Sequence, residues 1–213
     1  MHKKTPTAGI ILAAGRSKRL GRPKQLLRVK GGILIERVIN AALASNLDRI
    51  VLVLGHRHED IARHLGRQTG ISHLKVVISR RYREGLSRSI CAGLEEVMNT
   101  PPSVMFLLGD QPLVDPPAIN DLLIAFGNST RDICVPVRHK NRGNPTIFSR
   151  KFYDSIMRIQ GDSGAREIID ANPATVYVFP TQNPAYFFDI DTEADLKVWK
   201  TLPDHQHDVN IPL

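Results

Sequence analysis

The stretch LAAGRSKRLGRPK, residues 12–24, combines the end of an apolar run with a glycine-containing basic loop, and it is the most informative part of the sequence for the fold. It continues the apolar run of residues 9–14, which predicts a buried strand that ends in small residues and opens into a loop. Gly15 and Gly21 permit tight backbone turns and the close approach of a ligand. Ligands of open α/β sheets usually lie at the carboxyl edge of the strands, so we expect this loop to bind one.

Positive charge is concentrated in the same loop. Between residues 16 and 30 there is no acidic residue, whereas seven cationic ones occur. They are Arg16, Lys18, Arg19, Arg22, Lys24, Arg28 and Lys30. Such a loop, with its backbone N–H groups, suits a polyphosphate, although it matches neither the GxxxxGK[ST] nor the GxGxxG pattern. The alternative is a solvated basic loop that contacts nucleic acid.

Apolar runs alternate with amphipathic segments along the chain, which predicts an α/β fold. We expect a Rossmann-like three-layer sandwich, with a mostly parallel sheet covered by helices on both sides. The predicted strands after the first are 50–54, 74–78, 104–108, 132–137, 175–179 and 186–190. The predicted helices are 33–45, 58–65, 87–98, 116–126, 150–158, 162–170 and one from Thr192.

Composition narrows the class of protein. The 213 residues carry 29 Lys+Arg and 21 Asp+Glu, a formal charge of +8, which favours an anionic partner. We expect one domain over residues 1–203 and a polar, frayed tail over 204–213. Cys91 and Cys134 are far apart, which argues against a disulfide scaffold and favours a reducing, cytoplasmic location. No apolar run approaches the ~18 residues of a membrane span, and the polar N-terminus predicts no signal peptide.

Two acidic turns suggest a divalent cation. Asp110, in GDQP at residues 109–112, follows the apolar strand 104–108, and Asp189 and Asp191 lie in FDIDT at 188–192. In an extended segment Asp189 and Asp191 point to the same side, where two like charges repel unless a cation lies between them. Carboxylates and phosphate oxygens are ligands that Mg²⁺ prefers. The alternatives are a turn former at Asp110 and a helix cap at Asp191 or Thr192.

Two glycine-containing segments could contact the substrates. EGLSRS, residues 84–89, offers hydroxyl and N–H groups that suit a base edge, or else a simple Ser cap for the helix expected from Ser87. GDSGAR, residues 161–166, places Arg166 near a helix start, where its guanidinium could receive a phosphate. The alternative for GDSGAR is a helix capped by Asp162 or Ser163.

Taken in order, these segments resemble the MobA-like NTP transferase family. The loop is similar to the family's LAAGxSxRxGxxK signature, and GDQP, RGNPTIF (142–148), GDSGAR and DIDT resemble its molybdenum cofactor cytidylyltransferase (MocA-like) branch. The resemblance spans about residues 8–200 and implies a nucleotidyltransferase fold that is GT-A-like. It implies nucleotide contacts from Leu12, Ala13, Ala14, Gly15, Arg19, Lys24, Gly85, Ser89 and Asp110. By the same resemblance Arg19, Lys24 and Asp110 are catalytic, and Asp110, Asp189 and Asp191 bind Mg²⁺.

The resemblance also implies a reaction. CMP would pass from CTP to a phosphorylated acceptor, the pterin of the molybdenum cofactor, with release of pyrophosphate. Asn144, Asp162 and Arg166 would bind the acceptor, although Asn144 stands where the branch usually has His. A molybdoenzyme or its maturation chaperone would be the protein partner. LAAG favours cytidine, because the guanylyl branch usually has LAGG. Another NTP, or another acceptor such as methylerythritol phosphate, remains an alternative, as does a basic nucleic-acid-binding module.

Overall fold

The structure, a computed structural model, describes residues 5–29, 32–66, 73–162 and 164–202. Lys30, Ser163 and the expected tail at 204–213 lie outside the described residues.

Ten strands and seven helices occur in the described part of the chain. The strands are β1 (Thr7–Ala13), β2 (Arg28–Val29), β3 (Gly32–Ile33), β4 (Arg49–Leu54), β5 (Leu74–Ile78), β6 (Ser103–Leu108), β7 (Ile133–Arg138), β8 (Asn141–Arg142), β9 (Thr146–Ser149) and β10 (Val176–Pro180). The helices are α1 (Leu34–Leu43), α2 (His58–Leu65), α3 (Leu86–Glu95), α4 (Pro116–Asn128), α5 (Tyr153–Met157), α6 (Arg166–Ala171) and α7 (Glu193–Thr201). None of these helices is both long and apolar enough to cross a membrane.

The main sheet confirms the α/β prediction. Its strand order is β10-β7-β9-β6-β1-β4-β5, and β8 pairs with β7. β1 lies between β6 and β4 and is parallel to both, and the β4–β5 and β7–β10 pairs are also parallel. β9, which we did not predict, is antiparallel to β6 and β7 and joins the two parallel parts. The sheet is therefore mostly parallel, as expected.

Side chains of β1 alternate between two cores, which produces the three layers. Ile11 and Ala13 contribute to the core with α1, α2 and α4, whereas Ile10 and Leu12 contribute to the core with α3, α5 and α6. Each strand residue thus buries its side chain against one of two helical layers. A third, smaller core packs α7 against the basic loop through Trp199, Leu20 and other apolar residues.

The prediction of a strand at residues 186–190 is wrong. Residues 184–186 form a 3-10 turn, and the following residues belong to no strand. Their alternating apolar residues, Phe188 and Ile190, are buried in the third core instead of in the sheet. Alternating apolar residues are also the pattern that predicts a strand, so the sequence does not distinguish the two cases.

Three helix predictions also need correction. The helix expected from Ser87 begins at Leu86, with Gly85 at the N-cap position, so Ser87 does not cap it. The helix expected at 162–170 begins only at Arg166, so Asp162 does not cap it either. The helix expected at 150–158 is a 3-10 turn, Arg150–Phe152, followed by the short α5. The last helix does begin after Thr192, whose side chain accepts a hydrogen bond from the Asp195 N–H.

Candidate active site

The site is built where β1 and β6 end side by side. Leu12 pairs with Leu108 in the parallel register, and the Gly109 N–H donates to the Leu12 carbonyl at 3.0 Å. A Cβ at Gly109 would lie 2.9 Å from that of Ala13, so glycine allows this close approach. Just beyond, the Ile190 N–H donates to the Asp110 carbonyl at 3.0 Å. This bond brings the DIDT segment to the carboxyl edge of the sheet.

The basic loop is held by hydrogen bonds from its own residues. The Ser17 carbonyl accepts from the Gly21 N–H at 3.1 Å, and the Ser17 hydroxyl accepts from the Lys24 N–H at 3.1 Å. Gln25, only 2% exposed, donates its amide to the Ala13 carbonyl at 3.0 Å and the Gly15 carbonyl at 3.3 Å. Gln25 was not predicted as a site residue, because a buried amide leaves no spacing signal. It fixes the backbone that borders the ligand cavity.

Lys24 lies between two carboxylates. Its ammonium group donates to Asp191 at 2.7 Å and also to Asp110. Arg19 pairs with the other oxygen of Asp191. The two predicted phosphate-binding cations are thus paired with two of the predicted metal ligands.

The charges of this cluster shift its pKa values. Burial raises the pKa of Asp189 to about 7, assisted by a hydrogen bond with Asp191 and by the negative charges of Asp110 and Asp191. Burial also acts to raise the pKa of Asp191, but the hydrogen bond and charge of Lys24 outweigh it, so that pKa is lowered. For Lys24 burial acts to lower the pKa, and its contacts with Asp110 and Asp191 raise it overall. Lys24 is therefore a cation at neutral pH.

The acidic residues fit a divalent metal ion. Asp110, Asp189 and Asp191 each offer a carboxylate oxygen, and these atoms lie within 4.8 Å of one another. The second oxygen of Asp110, Oδ1, is buried without a hydrogen-bond partner among the described residues. A buried carboxylate oxygen without a partner is costly unless a cation or donor satisfies it. A hard, oxygen-only donor set of this kind suits Mg²⁺ or Mn²⁺.

A cavity of about 530 Å³ opens above this cluster. The loop, the start of α3 and the acidic residues line it together. The predicted site residues among its walls are Leu12, Ala13, Ala14, Gly15, Arg19, Lys24, Gly85, Ser89, Asp110, Asp162, Asp189 and Asp191. Tyr82 and Arg83, which the sequence analysis missed, also line it. They lie in a 3-10 turn directly before Gly85, and turns of this kind carry no periodic signal.

Further cations line this cavity. Arg16 and Lys18 belong to the basic loop, and Arg83 precedes α3. The pKa of His56 is lowered, first by burial and then by the charges of Arg16, Arg57 and Arg83. The cations therefore line a concave site of a size suited to a small anionic ligand.

A second cavity, of about 280 Å³, adjoins the first. The remaining predicted site residues, Asn144 and Arg166, line it, together with Arg142, which was quoted in RGNPTIF but not selected. Arg142 also pairs with Asp170. The two cavities share the wall residues Leu12, Leu86, Leu108 and Asp162. Every predicted site residue thus lines one of two contiguous cavities.

Comparison with known proteins places these features in a family. The chain is 25% identical to nicotine blue oxidoreductase from Paenarthrobacter nicotinovorans, over 86% of this chain and 91% of that protein. It is 27% identical to a probable molybdenum cofactor guanylyltransferase from Pyrococcus horikoshii, over 88% and 96%. It is also 27% identical to the bifunctional protein GlmU of Sorangium cellulosum over 79% of this chain, but it spans only 38% of that longer protein.

Solved structures show the same fold. Rv0371c from Mycobacterium tuberculosis superimposes with a TM-score of 0.78 at 25% identity, covering 92% of this chain and 98% of that one. A manganese complex of Rv0371c superimposes with a TM-score of 0.73 at 23% identity, covering 92% and 98%.

The family model of the MobA-like NTP transferase domain matches residues 9–176. These residues include the loop, Asp110 and both glycine-containing segments, and thus most of the site described above. The chain therefore belongs to the MobA-like NTP transferase family and is a nucleotidyltransferase.

Proposed function

We propose that this protein transfers CMP from CTP to a phosphorylated pterin, that of the molybdenum cofactor, and releases pyrophosphate. The observation that carries the proposal is the position of Lys24, a residue of the basic loop whose ammonium group donates to both Asp110 and Asp191 in the wall of the first cavity. A nucleoside triphosphate in this cavity would contact the cations of the loop and lie close to the carboxylates of Asp110 and Asp191.

The triphosphate would lie along the loop. Arg19 and Lys24 would exchange their present carboxylate partners for phosphate oxygens, and the backbone fixed by Gln25 would border the nucleotide. Asp110, Asp189 and Asp191 would hold Mg²⁺, which when bound supplies neutralisation of charge on the phosphates.

The bond changes need little acid–base help from the protein. An oxygen of the acceptor phosphate attacks the α-phosphorus of CTP, and the bond from that phosphorus to the bridging oxygen of the β-phosphate breaks. Pyrophosphate leaves with the electron pair. A phosphate nucleophile is already ionised at neutral pH, so no strong general base is required. The residues act by positioning the reactants, and Lys24 and Arg19 stabilise the negative charge that builds on pyrophosphate.

The base preference is the finer part of the proposal. LAAG in the loop and the Gly85–Ser89 segment favour cytidine by resemblance to the cytidylyl branch. Ser89 lines the first cavity, where its hydroxyl would contact a base edge. GTP is the second candidate, because the Pyrococcus horikoshii relative is named a guanylyltransferase.

The second cavity would receive the acceptor. Its walls combine apolar residues such as Phe106 and Val135 with the guanidinium groups of Arg142 and Arg166. This mixture suits a flat heteroaromatic ring system, with polar groups at its edges, that carries a phosphate. Asn144, in place of the usual His, offers an amide in that cavity. Methylerythritol phosphate is a smaller alternative acceptor. A molybdoenzyme or its chaperone would collect the product.

The proposal is tested by measuring pyrophosphate release with CTP, GTP, ATP and UTP in the presence of Mg²⁺. Each nucleotide is tested without acceptor, with molybdenum cofactor, and with methylerythritol phosphate. We expect release with CTP that depends on the cofactor. A higher kcat/KM for GTP would contradict the cytidylyl assignment. Release that occurs only with methylerythritol phosphate as acceptor would contradict the pterin assignment.

A further inference from the structure

We infer that Asp162 is a positioning residue that holds the start of α3 in place for recognition of the nucleobase. The inference rests on the proposed function, because it takes the Gly85–Ser89 segment as the part of the site that contacts the base. It also reassigns Asp162, which the sequence analysis placed with the acceptor.

The start of α3 depends on a distant segment. The first N–H groups of a helix have no partners within the helix and must be satisfied from elsewhere. Gly85, at the N-cap position of α3, has no side chain to do this. Instead, the Leu86 N–H donates to Oδ1 of Asp162 at 3.0 Å, and the Ser87 N–H donates to the Gly161 carbonyl at 3.1 Å. Asp162 therefore takes the part of an N-cap side chain for α3.

The backbone geometry shows how closely the two segments meet. Gly85 has φ of +116°, and a Cβ at this position would lie 2.5 Å from the Gly161 carbonyl oxygen. Gly161 itself has φ of +69°. Both conformations favour glycine, and at Gly85 the close approach of Gly161 also leaves no room for a side chain. The contact therefore involves two specific turns and not the side chain of Asp162 alone.

The consequence concerns the nucleotide. Gly85 and Ser89 line the first cavity, and Asp162 borders both that cavity and the second one. The basic loop, in contrast, is fixed by Ser17 and Gln25, and within the described part of the chain it makes no hydrogen bond to Asp162. Loss of the Asp162 carboxylate should thus disturb the base contact and leave the triphosphate contacts unchanged.

The test compares binding of CTP with binding of inorganic tripolyphosphate, each measured by calorimetry with Mg²⁺ and without acceptor. Asp162→Ala should weaken CTP binding by about fivefold, the change expected for loss of a helix cap. Tripolyphosphate affinity should stay within twofold of wild type. Asp162→Asn retains an oxygen that can accept from the Leu86 N–H, so it should bind CTP within twofold of wild type. Asp121→Ala, an exposed change on α4, is the matched control.

Unchanged CTP affinity in Asp162→Ala, or an equal loss for CTP and tripolyphosphate, would overturn the inference. Asp162 is exposed, so the variant should fold; if it does not, Asp162→Leu, which also lacks a hydrogen-bond acceptor, gives the same comparison. If the wild-type protein does not bind CTP, the proposed function fails separately. Hydrogen exchange then decides the positioning role: faster exchange of the Leu86 amide in Asp162→Ala supports it, and unchanged exchange overturns it.

Discussion

The ammonium nitrogen of Lys24 lies 2.7 Å from Oδ1 of Asp191. The same ammonium group donates to Asp110, so one cation occupies the space between two carboxylates that we assign to a metal ion. Lys24 and a divalent cation would therefore compete for the same carboxylate groups. A bound triphosphate offers Lys24 other partners, which would leave the carboxylates to the metal.

Replacement of Lys24 by Met should change metal and nucleotide binding in opposite directions. Without nucleotide, Lys24→Met should bind Mn²⁺ several-fold more tightly than wild type, because the competing charge is gone. CTP affinity should fall tenfold or more, since a charge-assisted contact contributes roughly 1.5–3 kcal/mol. Both affinities can be measured by calorimetry. Lys197→Met removes the same charge from an exposed position on α7 and serves as the control. Mn²⁺ binding that is no tighter in Lys24→Met than in wild type would contradict this account.

Asp110→Asn should abolish most turnover without unfolding the protein. The substitution removes one charge from the acidic cluster and keeps nearly the same shape. If Asp110 were only a turn former, Asn would replace it well, because Asn has the same turn preference. We expect kcat to fall at least 100-fold, roughly the size seen when one electrostatic contact to a reacting group is lost, with little change in melting temperature. Near-normal turnover of CTP, compared with the exposed control Asp121→Asn, would exclude the metal assignment.

Trp199 should be a determinant of stability. It is 2% exposed, stacks on Phe188 with ring centroids 6.5 Å apart, and has the Arg37 guanidinium 4.9 Å from its ring. Trp199→Ala removes this contact and should lower the free energy of unfolding by about 3–5 kcal/mol. Trp199→Phe preserves a stacked ring and should lose clearly less. Urea denaturation of the three proteins measures the difference, and equal midpoints for wild type and Trp199→Ala would show that the third core does not contribute.

The two thiols should be unreactive in the folded protein. Both Cys91 and Cys134 are buried, and burial raises the pKa of Cys134 to about 12 and also raises that of Cys91. Since the thiolate is the reactive form, labelling at pH 7.5 by a thiol reagent should be slow until denaturant is added. Rapid labelling of either cysteine in the native protein, followed by mass spectrometry of peptides, would contradict this packing.

The strands at the centre of the parallel sheet were the elements that could best be predicted from the sequence. The runs that form β1, β4 and β6 are buried against two helical layers, so their apolar character directly indicates strands. Parallel strands end at the same edge of a sheet, so the sequence predicts that the residues after β1 and those after β6 lie close to each other. The hydrogen bond from the Gly109 N–H to the Leu12 carbonyl joins these two strand ends.

Other features depend on contacts that no local pattern contains. The short β9 was missed because four residues give little periodic signal, and its place in the sheet depends on pairing with β6 and β7. Phe188 and Ile190 suggested a strand because α7, and not a neighbouring strand, buries them. Asp162 accepts from Leu86, 76 residues earlier, so its role at the start of α3 is visible only in three dimensions.

The most direct test follows a label at the α-phosphate of CTP. The protein is incubated with labelled CTP, Mg²⁺ and molybdenum cofactor, and the products are separated by chromatography. We predict that the label appears in a cytidine-containing dinucleotide of the cofactor, with one pyrophosphate released for each labelled product. Label that remains in CTP, or that is recovered only as CMP, would contradict the central claim that the two adjoining cavities join a nucleotide to a phosphorylated acceptor.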